Sequence, residues 1–308
     1  MRQSYADRRI SLPFPIKLYQ LGNQWLIEWF CENEDNPVNR EFFKQINGNQ
    51  KNHKKIFSVY KDDEVRKSQI QPALFVFHVS RCGSTLAANY LATDEENRVY
   101  NEPDILGKLF SDLNEGSVDA ERDFTKHIDA LRIGALPGQK RLIVKLSSRY
   151  LKYAPLFDKF YPEVPKWLIV RNPTEVLASN VIESPEHILN QIKGEYSEAK
   201  CIALVLKSWA DTFRDALSFQ KSFNKIVDYT ELKEELMSME QELWTPTDQP
   251  ERQALVNQVF VKSSKKRDSS HQSDTQKKLL FKKKFRCIHP EILLKMERNY
   301  RLIRDKIN

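Results

Sequence analysis

Long apolar runs are missing from this 308-residue sequence. The longest candidate, Cys201 to Leu206, is followed at once by Lys207 and falls far short of the ~18–20 residues that span a bilayer. Cysteine is scarce: Cys31, Cys82, Cys201 and Cys287 lie far apart, with no C-x-x-C and no histidine at zinc-ligand spacing. That argues against a metal centre and a disulfide frame, and for free thiols in a reducing compartment. Glycine is rare, and none follows Gly194. The opening stretch MRQSYADRRISLPF lacks the apolar core of a secretory leader. Together these absences predict a cytoplasmic protein with no membrane partner.

What is present can bury a sizeable core, since 40% of the residues are hydrophobic and 11% aromatic, so global disorder is excluded. The 49 Lys and Arg against 42 Asp and Glu leave a net charge of +7. Such an excess suits an anionic ligand, although a merely basic soluble protein explains it equally well.

No internal repeat is visible. Residues 16–30, IKLYQLGNQWLIEWF, read as two strands around Gly22-Asn23, a β-hairpin. Residues 48–70 are polar and read as a loop or linker, so 1–70 is expected to be an N-terminal extension and 71–308 the main domain. In that domain short apolar runs alternate with helix-like segments: ALFVFHV (73–79), RLIVKLS (141–147), KWLIVRN (166–172) and NKIVDYT (224–230). This alternation predicts an α/β fold with a central parallel sheet and helices on both faces. Such sheets bind ligands beyond the carboxyl ends of their strands. Residues 199–219 read as a core helix and 290–307 as a terminal helix.

Three stretches at those strand ends carry chemistry. In HVSRCGSTLAANYL (78–91), Arg81, Cys82, Gly83, Ser84 and Thr85 lie between a strand and a helix. Small residues there let a ligand approach the backbone, and unpaired N–H groups of a first helical turn bind anions. An ordinary helix cap by Ser84 or Thr85 is the competing reading. The stretch is not a Walker A loop, because Ser84 stands where a lysine would follow the last glycine. Further on, RNPTEVLAS places Ser179 two helical turns beyond Arg171, with Pro173 suited to a first turn. A surface ion pair for Arg171 and a solvated Ser179 are the alternative. The third stretch, VYNEPD (99–104), holds Glu102 on a loop by the extended geometry that precedes Pro103. A base for an acceptor's proton must lie within hydrogen-bond reach of it. A free Glu, with a pKa of ~4.3, would need burial or a neighbouring carboxylate to serve.

The first two stretches, in this order, resemble the 5′-phosphosulfate loop and the 3′-phosphate motif of sulfotransferases that use 3′-phosphoadenosine 5′-phosphosulfate (PAPS). Cys82 stands where that family usually has serine. KLSSRYLKY (145–153) resembles the family's Lys-[Ser/Thr]-Pro-x-Tyr segment with Ser148 in place of proline, and IVDYTEL (226–232) its later Tyr-Glu-Asp-Leu stretch. The resemblance implies a P-loop nucleotide-binding fold, PAPS as donor, no metal, and a hydroxyl or amine acceptor of unstated class. It implies that residues 81–85 hold the 5′-phosphosulfate and that Arg171 and Ser179 hold the 3′-phosphate. Glu102 then serves as base, as in the carbohydrate- and peptide-modifying branches, and Lys145 offsets developing charge. The family often closes a late basic loop over the nucleotide. Here Lys265, Lys266 and Arg267, in the run 262–278, are the candidates, though that run has no glycine. A nucleic-acid role for the run lacks an accompanying aromatic platform. Two rivals stand beside the sulfotransferase: a P-loop small-molecule kinase, and an inactive nucleotide-binding protein.

Overall fold

The computed structural model describes residues 14–21, 24–31, 54–68, 70–116, 118–133, 138–182, 197–243, 250–261 and 271–306. Among them the strands are β1 Phe14–Leu21, β2 Gln24–Cys31, β3 Lys54–Val59, β4 Gln71–His78, β5 Asn97–Asn101, β6 Arg141–Lys145, β7 Lys166–Val170 and β8 Lys225–Asp228. The first helices are α1 Asp62–Lys67, α2 Ser84–Leu91, α3 Ile105–Asn114, α4 Val118–Arg122, α5 Phe124–Ile133 and α6 Ala154–Phe160. They are followed by α7 Pro173–Ile182, α8 Glu198–Ser218, α9 Leu232–Leu243, α10 Pro250–Val261, α11 His271–Ile288 and α12 Pro290–Arg304. The fold is α/β, with a five-stranded, all-parallel sheet flanked by helices and a separate three-stranded antiparallel sheet. No helix among the described residues is long and apolar enough to cross a membrane.

The chain divides into two compact units, one drawn from Met1–Ala73 and Glu95–Lys145, the other from Leu74–Asp94 and Leu146–Asn308. In the first, β1, β2 and β3 pair antiparallel in that order, with a register shift between Pro15 and Lys17. Ile16, Leu18, Ile27 and Trp29 are buried, and the Trp29 indole N–H donates to Ser58 Oγ at 2.7 Å. Strand β1 packs on α3 and α5, so the sheet's apolar face is covered by helices of its own unit. Strands β5 and β6 of this unit pair parallel.

Segment 48–70, expected as loop or linker, contains β3 and α1. Its lysines conceal the strand: Lys54 and Lys55 precede Ile56-Phe57-Ser58-Val59, and β3 is an edge, where lysine is common. Because β3 is half-solvated, Phe57 remains 54% exposed. The turn Gly22-Asn23 and residues 32–53 lie outside the described residues.

In the second unit, β4 pairs parallel with β7 and β7 with β8. Leu74 to Phe77 and all of β7 are buried, which is why these strands read as unbroken apolar runs. Phe157 of α6 meets Phe75 and Phe77 at ring-centroid distances of 4.7 and 5.2 Å. Burying each such ring contributes roughly 1.5–3 kcal/mol. Even Lys166 is 1% exposed; its ammonium is satisfied by the Val164 carbonyl at 3.0 Å and Asp158 at 3.1 Å. Helices α7, α8, α11 and α12 pack against one another. The late basic run, expected as a loop to residue 278, is helical from His271 onward.

Candidate functional site

The first candidate site begins where β4 ends. Val79 still donates to the Ile169 carbonyl at 3.2 Å, and the chain then turns sharply. Ser80 N–H donates to His78 Nδ1 at 2.9 Å, so the last side chain of the strand shapes the turn. Ser80, Arg81 and Gly83 have φ of 67, 49 and 83°, in the left-handed region. For the two non-glycine residues that costs of order 1–2 kcal/mol each, a strain found at ligand clamps. Cys82 sits between two left-handed residues with its side chain fully buried, so the backbone is what it presents. An alternation of this kind makes a concave nest of N–H groups. Gly83 is the cap residue of α2, and no side chain caps the helix, so Ser84 and Thr85 begin it rather than cap it. Ser84 is 4% exposed, while Arg81 and Thr85 are half-buried.

Two residues from later in the chain hold this turn. A Cβ on Gly83 would lie 2.8 Å from both Tyr229 Cδ2 and Leu232 Cδ2, so the Tyr229 ring packs directly on the glycine. The Arg171 guanidinium stacks on the same ring at 4.2 Å and donates from Nη1 to the Arg81 carbonyl at 3.0 Å. Arg171 also pairs with Glu175 at 3.5 Å, and Lys282 pairs with Glu175 in turn. A guanidinium has five N–H donors, so these contacts leave donors for a ligand. Arg171 is therefore tied to the loop whose ligand it was expected to share. Ser179 lies half-buried on α7.

Glu102 and Lys145 form a separate pair in the first unit. Glu102 directly follows β5, with φ of 56°, and Lys145 is the last residue of β6. Glu102 N–H donates to the Lys145 carbonyl at 2.7 Å, and Lys145 Nζ donates to Glu102 Oε1 at 2.5 Å. The Lys145 side chain is 2% exposed and that of Glu102 23%. The strand register, Asn101 beside Lys145, creates the pairing. The carboxylate's neighbour is thus an ammonium, where the base reading asked for burial or a second carboxylate.

His127, on α5 of the same unit, is a core residue. Its Nδ1 lies 3.0 Å from the Asp123 carbonyl, and burial pushes its pKa below the usual 6.5. Lys265, Lys266 and Arg267 lie outside the described residues. His78 and Tyr229 were not anticipated as site residues. Tyr229 stands in the strand-ending IVDYTEL stretch, which was the one available signal for it.

No protein-family model matches the chain, and none of the curated proteins does. Solved structures similar to it include three sulfotransferases. A sulfotransferase from Mycobacterium tuberculosis H37Rv has 13% identity and a TM-score of 0.42, covering 72% of this chain and 78% of that one. One from Alicyclobacillus acidocaldarius has 15% identity and a TM-score of 0.37, covering 72% and 96%. One from Mycobacterium avium has 11% identity and a TM-score of 0.44, covering 73% and 78%.

Proposed function

We propose that this chain is a sulfotransferase that moves a sulfuryl group from PAPS to a hydroxyl or amine acceptor. The observation that carries the reading is the turn after β4. There a strained backbone, an uncapped helix start and Arg81 make a binding place for an anion. A Walker A kinase would need lysine directly after Gly83, where Ser84 stands. It would also need a carboxylate at a strand end to hold Mg²⁺. Asp228, which ends β8, is instead engaged by the Tyr300 hydroxyl, by Thr230 N–H at 3.0 Å and by Thr230 Oγ1 at 2.8 Å.

On this reading the N–H groups of residues 82–85 and Arg81 hold the 5′-phosphosulfate, and Arg171 and Ser179 hold the 3′-phosphate. Fixed donors of this kind stabilise developing charge without reorganising, which is the larger part of such group transfers. Glu102 takes the acceptor's proton. Lys145 fixes the carboxylate of Glu102 and balances its charge. Lys265, Lys266 and Arg267 remain candidates for closing over the nucleotide.

Calorimetric titration with 3′-phosphoadenosine 5′-phosphate, set against ATP with Mg²⁺, tests the reading. The bisphosphate is expected to bind in clear preference and to raise the melting temperature by mass action. Preference for ATP with Mg²⁺ sinks the sulfotransferase in favour of the kinase. Binding of the bisphosphate without turnover of PAPS on any acceptor leaves the inactive nucleotide-binding protein.

A further inference from the structure

A polar concavity of ≈ 490 Å³ opens in the second unit, lined by Asn172 after β7, Arg286 in the last turn of α11, and one face of α12 from Glu297 to Asp305. The α12 members at 297, 300, 301 and 304, with the cap residue Asp305, follow the three-and-four spacing that stacks side chains on one helix face. Its volume falls within the range of small-molecule sites.

Three guanidinium groups converge on it. Arg301 and Arg304 lie three apart on one helix, where like charges repel, and Arg286 adds a third from another helix. Arg304 is steadied, with Nε 3.8 Å from Asp228 Oδ2 and its guanidinium 5.9 Å from the Tyr300 ring centroid. Arg286 and Arg301 have no ion-pair partner among the described residues. Two of the nearby acids are engaged elsewhere: Glu297 Oε1 accepts from Thr174 Oγ1 at 3.3 Å, and Asp228 from Tyr300 and Thr230, which leaves Asp305 at the end of the face as the one lining carboxylate set against three guanidinium groups. Asn172 Oδ1 accepts from Thr174 N–H at 2.9 Å, which assigns its amide orientation and leaves its NH₂ as a donor. The walls therefore offer forks and amide donors to an anion.

We propose that this concavity is a second anion site, separate from the turn after β4, for a small molecule bearing a tetrahedral oxyanion, a sulfate or phosphate ester. Guanidinium forks match two oxygens of such a group at once, and the bound anion offsets the repulsion among the three arginines. The site stands on its own residues and does not depend on the sulfotransferase reading.

Inorganic sulfate and inorganic phosphate are the probes, titrated by calorimetry into the full chain with and without saturating 3′-phosphoadenosine 5′-phosphate. Saturable binding of at least one anion is expected to survive saturation with the nucleotide, and the tighter anion names the ester. Arg286→Gln and Arg301→Gln should each weaken it about tenfold or more, the scale of a lost charged hydrogen bond. Both residues are exposed, so an unchanged or raised melting temperature without anion shows that the variants are folded. Should the nucleotide fail to bind at all, Arg81→Ala replaces it as the means of silencing the turn after β4, and the anion is still expected to bind. Absence of saturable binding, displacement by the nucleotide, or indifference to both substitutions overturns the proposal.

Discussion

The turns that leave β4 and β5 both carry non-glycine residues at positive φ, and they are stabilised by opposite means. The first, through Ser80 and Arg81, is held from outside by His78, Tyr229 and Arg171. The second, at Glu102, is closed on itself: one residue, Lys145, accepts its N–H and grips its carboxylate. Substitutions that open either turn separate these two designs.

The largest effect is expected from Glu102→Gln. If Glu102 takes the acceptor's proton, turnover falls by about 10²–10⁴ while nucleotide affinity changes little. The same change leaves the Lys145 ammonium buried beside a neutral amide. Gln still accepts a hydrogen bond, so the stability cost should be about 1–3 kcal/mol, below the range for breaking a fully buried pair. Urea unfolding gives the stability and acceptor turnover the activity. Unimpaired turnover on an identified acceptor removes Glu102 from catalysis.

Gly83→Ala opens the other turn. At φ of 83° the new Cβ is strained whatever space it finds, and Tyr229 and Leu232 stand 2.8 Å away. A left-handed alanine and local overpacking together should cost about 2–4 kcal/mol. Tyr229 is 39% exposed and can swing outward, which removes the ring from Arg171. Urea unfolding is expected to show the loss, and calorimetry a weaker nucleotide. A pairing with Tyr229→Ala should restore part of the stability but not the φ strain. Full restoration would mean the conformation itself is cheap.

Much of this was legible beforehand, and the limits have physical causes. Strands β4, β6, β7 and β8 were visible because buried parallel strands must be continuously apolar. Strand β5 was not, because NRVYN is mostly polar; Asn97 and Arg98 are nonetheless 5% and 6% exposed, with Arg98 stacked 4.8 Å from the Tyr100 ring. Helix α11 was concealed by its lysines. The turn after β4 announced itself through local spacing, but the residues that hold it come from distant parts of the chain. The Glu102–Lys145 pair depends on the register of β5 against β6, which motif spacing does not encode.

Arg171→Ala distinguishes reading a phosphate from supporting the turn. A nucleotide with the 3′-phosphate should bind about 1.5–3 kcal/mol more weakly, the scale of a charged hydrogen bond. Adenosine 5′-phosphosulfate, which lacks that group, should lose only severalfold, through the missing bond to the Arg81 carbonyl. Equal losses in calorimetry would reduce Arg171 to a support of the turn.

The smallest effect separates two buried histidines. His78 Nδ1 accepts from the Ser80 amide in the turn after β4, whereas His127 Nδ1 faces the Asp123 carbonyl and must donate to it. Burial, the dominant cause, lowers the His127 pKa from 6.5. Below pH 6.5 the unfolded chain therefore binds a proton that the folded chain refuses, so stability rises with pH up to that value and declines as pH falls beneath it. The slope cannot exceed about 1.4 kcal/mol per pH unit for one group. His127→Gln keeps a donor for the Asp123 carbonyl and cannot titrate, so urea unfolding of this variant should show a flatter pH dependence across that window. An unchanged slope would mean that His127 takes up its proton alike in the folded and the unfolded chain, against the burial argued here.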